Sequence, residues 1–485
     1  MRVGKCDTIR SLNESVRLHL DKGELNHSLR LIHDFVVRIF TEPLCTSLVA
    51  GSKTLDDLCS HIGKRNLAAV KRNLEFANPQ SEKPIVVYVV TKLQKSGGHT
   101  RVIEDFIKAQ PWARHTVLST ELQGRSDADY FMNVLGKVAQ VSFESARKQD
   151  NYQQRLTWLQ IRLLEIRPSK IYLLNHHQDS VSVAAIQPEM GFETCFYHHG
   201  DHHLCLGVYL QHVDHIDPHP MGYHNCRNDL GIDNIYMPLI VEDKGERTSN
   251  SEFMHDGFLT TCTAARSNKI EIPYFVSYLE MVPELLNATG GRHIHIGRLS
   301  PWALFRIRRG LKRLGVHPNR FKYIPWVPSV WKALHEYRVD LYIASFPYGG
   351  GLTLIEAMGA GIPVVLHRHT YSRVLGGIDI AYAKAFKWRD PEQLLKICAN
   401  VSVEQLRQHS QLARLQYVNF HRPQILVEIL APGGNMDTSP PGLSDEFKTQ
   451  QDEFAAWIES QISLSHLVRR WIYRHALFLR NKLFG

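Results

Sequence analysis

A chain of 485 residues has room for two or three domains at roughly 150 residues each. A hydrophobic fraction of 44% and a charged fraction of 22% are those of a globular chain, and they exclude a disordered or fibrous one. The net charge of +9 suits an anionic partner such as a nucleotide or an acidic lipid surface, while the basic residues are dispersed and lack interleaved stacking aromatics, which argues against nucleic acid.

The eight cysteines are scattered without a CxxC or a framework spacing, so reduced thiols in a cytoplasmic protein are expected. Residues 1–7 carry no apolar core of a secretory signal, and no run of about 18 apolar residues is present to span a membrane.

In chain order, residues 1–80 read as a helical region. Apolar residues recur at spacings of three and four from Ile9 to Phe40, and again from Leu67 to Leu74. A scaffold or docking role is the plain expectation. Asn78 to Pro84 is a linker, and Ile85 to Val90 is a buried strand of parallel-sheet type. A glycine loop with Gly97 and Gly98 follows, then a helix over 102–108. Further strands are expected at 116–119, 170–174, 193–197, 212–216 and 234–238. Two of them end in polar runs, Asn175 to Asp179 and His198 to His203. Strands alternating with helices, and polar residues after the strand ends, indicate a doubly wound α/β domain over 85–242.

Glu242 to Asp256 is polar and aperiodic, and marks an interdomain linker. A second α/β unit over 257–425 is expected, with strands at 257–264, 292–296, 321–324, 340–344 and 364–366. Within it, a buried strand runs into Gly349, Gly350 and Gly351, a helix over 353–358, and another strand. Glycines let the backbone turn tightly, and the helix start offers amides to an anion. A phosphate-bearing ligand is the expectation there, against the plainer reading of a tight connection. A turn-rich segment at 432–442, a helix over 444–462 and a basic tail complete the chain over 444–485.

Two such domains around a cleft, with the run Leu354-Ile-Glu-Ala-Met358 followed by Gly361, Pro363, Val364 and Val365, resemble a GT-B glycosyltransferase. The resemblance covers about residues 85–420. Phe196 to Gly207 is similar to the His-x-Asp-His…Leu-Gly segment of bacterial surface-polysaccharide and adhesin glycosyltransferases. The resemblance implies a nucleotide-sugar donor, UDP-linked by preference, bound in the second domain. It is a co-substrate, and no cofactor or metal is implied. The acceptor would be a saccharide, a lipid-linked saccharide or a protein, with surface glycan synthesis as the setting. A related epimerase, or a non-catalytic nucleotide- or glycan-binding module, is the alternative.

The donor residues implied are Arg266 and Lys269 as the basic pair, Gly349, Gly350, Gly351, Leu352 and Thr353 around the diphosphate, and Glu356 on the ribose. The Arg266–Lys269 spacing of three is shorter than the commonest family pattern. Trp326, just past a strand, lies where the family binds the base, and is read equally as core. Glu356 would also suit an early helical turn on charge grounds alone. Tyr348 stands eight positions before Glu356, where many retaining members carry a glutamate, which favours inversion.

Inversion needs a base for the acceptor hydroxyl. His199 or His202, with Asp201 to orient an imidazole, and His99 third, are the candidates; a purely structural hydrogen-bonded loop is the rival. No metal-ligand spacing such as HExxH accompanies these histidines, so no metal is expected. In residues 465–485, Val468, Trp471, Ile472, Ala476, Leu479 and Leu483 alternate with basic residues. This suits a helix on an anionic membrane surface, or one packed on the body.

Overall fold

The computed structural model describes residues 9–40, 50–73, 83–95, 98–136, 139–247, 252–272, 274–369, 373–436, 438–443, 468, 471, 472 and 475. The expected helix over 444–462 lies outside them.

Strand β1 (Ile85–Val90) shows why the first domain is layered. Val86, Tyr88 and Val90 join one buried cluster and Val87 and Val89 another, so the strand requires cover on both faces. The second face is covered in part by the N-terminal helices Ile9–Asp21, Leu25–Phe40 and Lys53–Asn73, through residues such as Leu29, Ile32, Leu55 and Ile62. The packing is close. A Cβ on Gly63 would fall 1.8 Å from the Ala184 carbonyl oxygen, so only glycine fits. Asp56 accepts the Gly207 and Tyr209 amides at 2.7 and 2.9 Å, and burial pushes its carboxyl up to about 7. The three helices are thus a scaffold within the first domain rather than a free docking arm.

The remaining strands of this domain are β2 (Arg114–Ser119), β3 (Val141–Ser145), β4 (Lys170–Leu174), β5 (Thr194–Tyr197), β6 (Asp214–Asp217) and β7 (Asn234–Tyr236). Among the described residues they form one parallel sheet ordered β3-β2-β1-β4-β5-β6-β7. The second domain holds β8 (Thr260–Ala264), β9 (Arg292–Ile296), β10 (Phe321–Ile324), β11 (Leu341–Ile343), β12 (Val364–His367) and β13 (Phe386–Trp388). Their order is β10-β9-β8-β11-β12-β13, again all parallel. Both sheets reverse direction of progression at the first strand, which is where ligands lie in doubly wound folds. The expected α/β architecture of two Rossmann-like domains is the observed one.

β3 and β13 have no counterpart among the strands expected from the apolar pattern. β3 is an edge strand with no fully buried position, and β13 has three residues, so neither writes a strong apolar period. Two helices begin earlier than expected, at Gly98 and Gly351, because glycine is a poor helix former that fits a helix start.

The chain crosses back at the end of the second domain. Tyr417 donates its hydroxyl to the Val241 carbonyl at 2.8 Å, and the Val241 amide donates to the His421 carbonyl at 2.9 Å. The helix Pro423–Leu430 then packs against the helix Gly98–Ala109 of the first domain. No described helix is long and apolar enough to cross a membrane.

Candidate active site

One wall of the cleft is the glycine turn between β11 and the helix Gly351–Gly359. Gly350 is the N-cap and has no side chain to satisfy the first-turn amides, so they remain suited to an anion. The Gly349 amide bonds to the Leu375 carbonyl at 2.7 Å, and a Cβ at Gly349 would stand 2.8 Å from that oxygen. Thr353 closes the turn by donating to the Gly350 carbonyl at 3.3 Å.

Lys269 reaches this turn. It lies on the short helix Ser267–Ile270 after β8, donates from Nζ to the Gly349 carbonyl at 2.7 Å, and stands 3.6 Å from a Cβ position on Gly350. Burial, then the nearby Arg266 guanidinium, lowers its ammonium to about 8. Arg266 is exposed at the cap of the same helix. Glu356 sits further along Gly351–Gly359. Burial raises its carboxyl, while Lys244, the Trp331 backbone and Arg101 of the first domain oppose the rise. Trp326 is 63% exposed, so the core reading of this residue is set aside.

The opposite wall is built from imidazoles. His99, on the first turn of Gly98–Ala109, packs its ring 4.8 Å from His176 and 4.9 Å from His199. Burial, then these neighbours, holds His99 well below the ordinary histidine range; burial also leads for His176 at about 4 and His199 at about 3. These rings are neutral near pH 7. Gly97 lies outside the described residues; Gly98 is described. A Cβ on Gly98 would meet Leu352 Cδ1 at 3.4 Å and His199 Cε1 at 3.9 Å, so the starts of two helices face each other across the cleft.

Asp201 is buried and divides its two oxygens. Oδ1 lies 3.5 Å from His202 Nδ1, and Oδ2 accepts from His219 Nδ1 at 2.7 Å. His219 follows β6 and carries no local mark in the sequence: it is a single histidine after Asp217 and Pro218, with its aspartate 18 residues upstream. Burial would lower its pKa, but the charge and hydrogen bond of Asp201 outweigh that and raise it. Its Nε2 stands 3.4 Å from a Cβ position on Gly351. Lys269 and His219, from different domains, therefore converge on adjacent glycines at one helix start. Tyr348 reaches the other way, its ring centroid 6.3 Å from that of His203.

The solved structures similar to this chain share its fold. A glycosyltransferase from Rickettsia africae matches with a TM-score of 0.54 at 12% identity, over 72% of this chain and 96% of that one. Anabaena Alr3699/HepE, solved with UDP and glucose, matches at 0.52 and 12%, over 72% and 98%. The lipopolysaccharide outer core galactosyltransferase WaaB matches at 0.51 and 13%, over 70% and 97%. No family model and no curated protein matches the sequence. The fold is that of the GT-B glycosyltransferases: two Rossmann-like domains facing a cleft.

Proposed function

We propose that the protein is a glycosyltransferase that moves a sugar from a nucleotide sugar, UDP-linked by preference, to a saccharide, lipid-linked saccharide or protein acceptor. The observation that carries this reading is the meeting of Lys269 Nζ, His219 Nε2 and the uncapped helix start at Gly350 and Gly351. Such a place suits a diphosphate, whose leaving group gains negative charge as the glycosidic bond breaks. HepE, with the same fold, is solved with UDP and glucose.

In this reading the diphosphate lies against the amides of 351–353, with Lys269 and Arg266 beside it. The ribose bonds Glu356, and the exposed face of Trp326 is available to the base. His219, locked at Nδ1 by Asp201, donates from Nε2 to the departing phosphate. The acceptor hydroxyl attacks the anomeric carbon as its proton passes to an imidazole of the first-domain wall. His202, 35% exposed and paired with Asp201, is the most reachable one, and His199 lies deeper with His99 behind it. The carbon–oxygen bond to the β-phosphate breaks and the nucleoside diphosphate leaves. With Tyr348 in place of a carboxylate, inversion is the expected outcome.

In the same reading the protein works in the cytoplasm, at the inner face of a membrane. Of the basic tail 465–485, Val468, Trp471, Ile472 and His475 are described. All four are helical, and the three apolar side chains are exposed. Such a face suits an anionic lipid surface that presents a lipid-linked acceptor.

The test is a panel of nucleotide sugars, with released nucleoside diphosphate and product both followed. Transfer or slow hydrolysis, with an inverted anomeric signal by NMR, is expected, and Glu356→Ala should abolish it while folding persists. Binding without turnover across donors and acceptors would favour a binding module, and interconversion of the free nucleotide sugar would identify an epimerase.

A further inference from the structure

Behind the cleft wall, four side chains meet that the proposed transfer does not use. His198 follows β5, His215 and Asp217 lie in β6, and Cys226 sits on the π-type turn Asn225–Asp229. All four are buried, and their donor atoms lie within 4.8 Å of one another. His198 Nδ1 is 3.0 Å from Asp217 Oδ1 and 3.4 Å from Cys226 Sγ, and that sulfur is 3.6 Å from Asp217 Oδ1. An ion bound tetrahedrally, with bonds of about 2.0–2.3 Å, spaces its ligands about 3.3–3.8 Å apart. The three observed edges fall close to that range.

Further observations fit a ligand. His215 Nε2 is buried 3.2 Å from Asp217 Oδ2, which brings the fourth side chain onto the same carboxylate. Cys226 stands on a π-type turn, a rare winding that re-aims a side chain and recurs at functional sites. Asn234 donates to Asp217 Oδ2 at 2.7 Å, as a support behind a liganding carboxylate does.

We propose that His198, His215, Asp217 and Cys226 form a closed zinc site. Two imidazoles, one carboxylate and one thiolate are a donor set that suits Zn²⁺ in tetrahedral geometry. Binding releases the Cys226 thiol proton to solvent, and the sulfur takes its place on the metal as thiolate. Burial, then the Asp217 charge, raises the free thiol. With four protein ligands, all of them buried, the ion is structural. His198 lies three residues before Asp201, and Asp217 two before His219. The site therefore ties together the ends of β5 and β6, which carry the aspartate and the histidine facing the donor loop.

The test is metal content of the purified full-length protein by inductively coupled plasma mass spectrometry, followed by stripping and titration with Co²⁺. One zinc per chain is expected. The Co²⁺ form should show intense tetrahedral d–d bands and a thiolate-to-metal charge-transfer band. Cys226→Ser should lose the charge-transfer band, and Cys398→Ser, whose thiol lies in the second domain, should keep it. Absence of stoichiometric metal together with no thiolate band in the unmodified protein overturns the proposal without reference to any variant's folding. Survival of the thiolate band in Cys226→Ser overturns it equally. These readouts are independent of nucleotide-sugar turnover, so their failure leaves the donor reading untouched.

Discussion

The two sheets share one strand order but not one chemistry. The first domain ends its strands in imidazoles and aspartates: His176, His198 to His203, and Asp217 to His219. The second ends its strands in glycine, lysine and a bare helix start. A doubly wound sheet supplies only the address, the crevice beyond the strand ends. The side chains at that address decide the chemistry. One wall carries a lysine and a bare helix start, and the other carries buried imidazoles. Even within the first wall, their partners separate two buried aspartates. Asp201 holds His219 towards the cleft, whereas Asp217, one strand over, is sealed among His198, His215, Asn234 and Cys226.

Removing the second domain's charge is the most direct way to break this division. Lys269→Ala should lower turnover by about 10³-fold, the upper range for deleting one preorganised donor at a developing charge. UDP affinity should fall with it, while circular dichroism stays unchanged. His219→Ala comes next, at about 10²-fold in kcat, because it removes the one group of the first domain that the proposed mechanism aims at the departing phosphate. Asp201→Asn keeps an acceptor for Nδ1 but loses the charge. A loss of roughly tenfold in kcat, with little change in UDP affinity, would identify Asp201 as a positioning residue.

A pH titration sharpens the same comparison. Lys269 is charged below about 8 and neutral above, with Arg266 and His219 the charged or titratable groups facing it and the Gly349 carbonyl its hydrogen-bond partner. The UDP polyanion binds the charged form, so its affinity should fall about tenfold for each pH unit above the free-protein value. Lys269→Arg, charged throughout, should flatten that profile. The smallest effect expected is Trp326→Ala. Loss of one exposed stacking face should weaken UDP roughly 3- to 10-fold, without lowering the melting temperature.

How much of this arrangement is legible in the sequence follows from its physics. Ile85 to Val90 declares a doubly buried strand because every residue is apolar and β-branched or aromatic. Gly349 to Gly351 declares a close turn because three glycines in succession serve little else. Lys269 is singled out only through the family resemblance, and its Nζ donates to the Gly349 carbonyl at 2.7 Å. His219 and Cys226 are hidden for the opposite reason. Their partners lie 18 and 9 to 28 residues away and meet only when β5 and β6 pair. Asp201 reads as an orienting carboxylate from its neighbours alone, but its shorter contact is to His219, at 2.7 Å, with His202 at 3.5 Å. What carries a signal is local, and what does not is cross-strand.

The most direct test is calorimetric titration of UDP into the full chain and into Lys269→Ala and His219→Ala. A single saturable site is predicted, weakened by at least about tenfold in Lys269→Ala and less in His219→Ala. Equal affinity in all three proteins, or no binding of UDP or any other nucleoside diphosphate to the unmodified chain, would contradict the assignment of the glycine turn as a donor site.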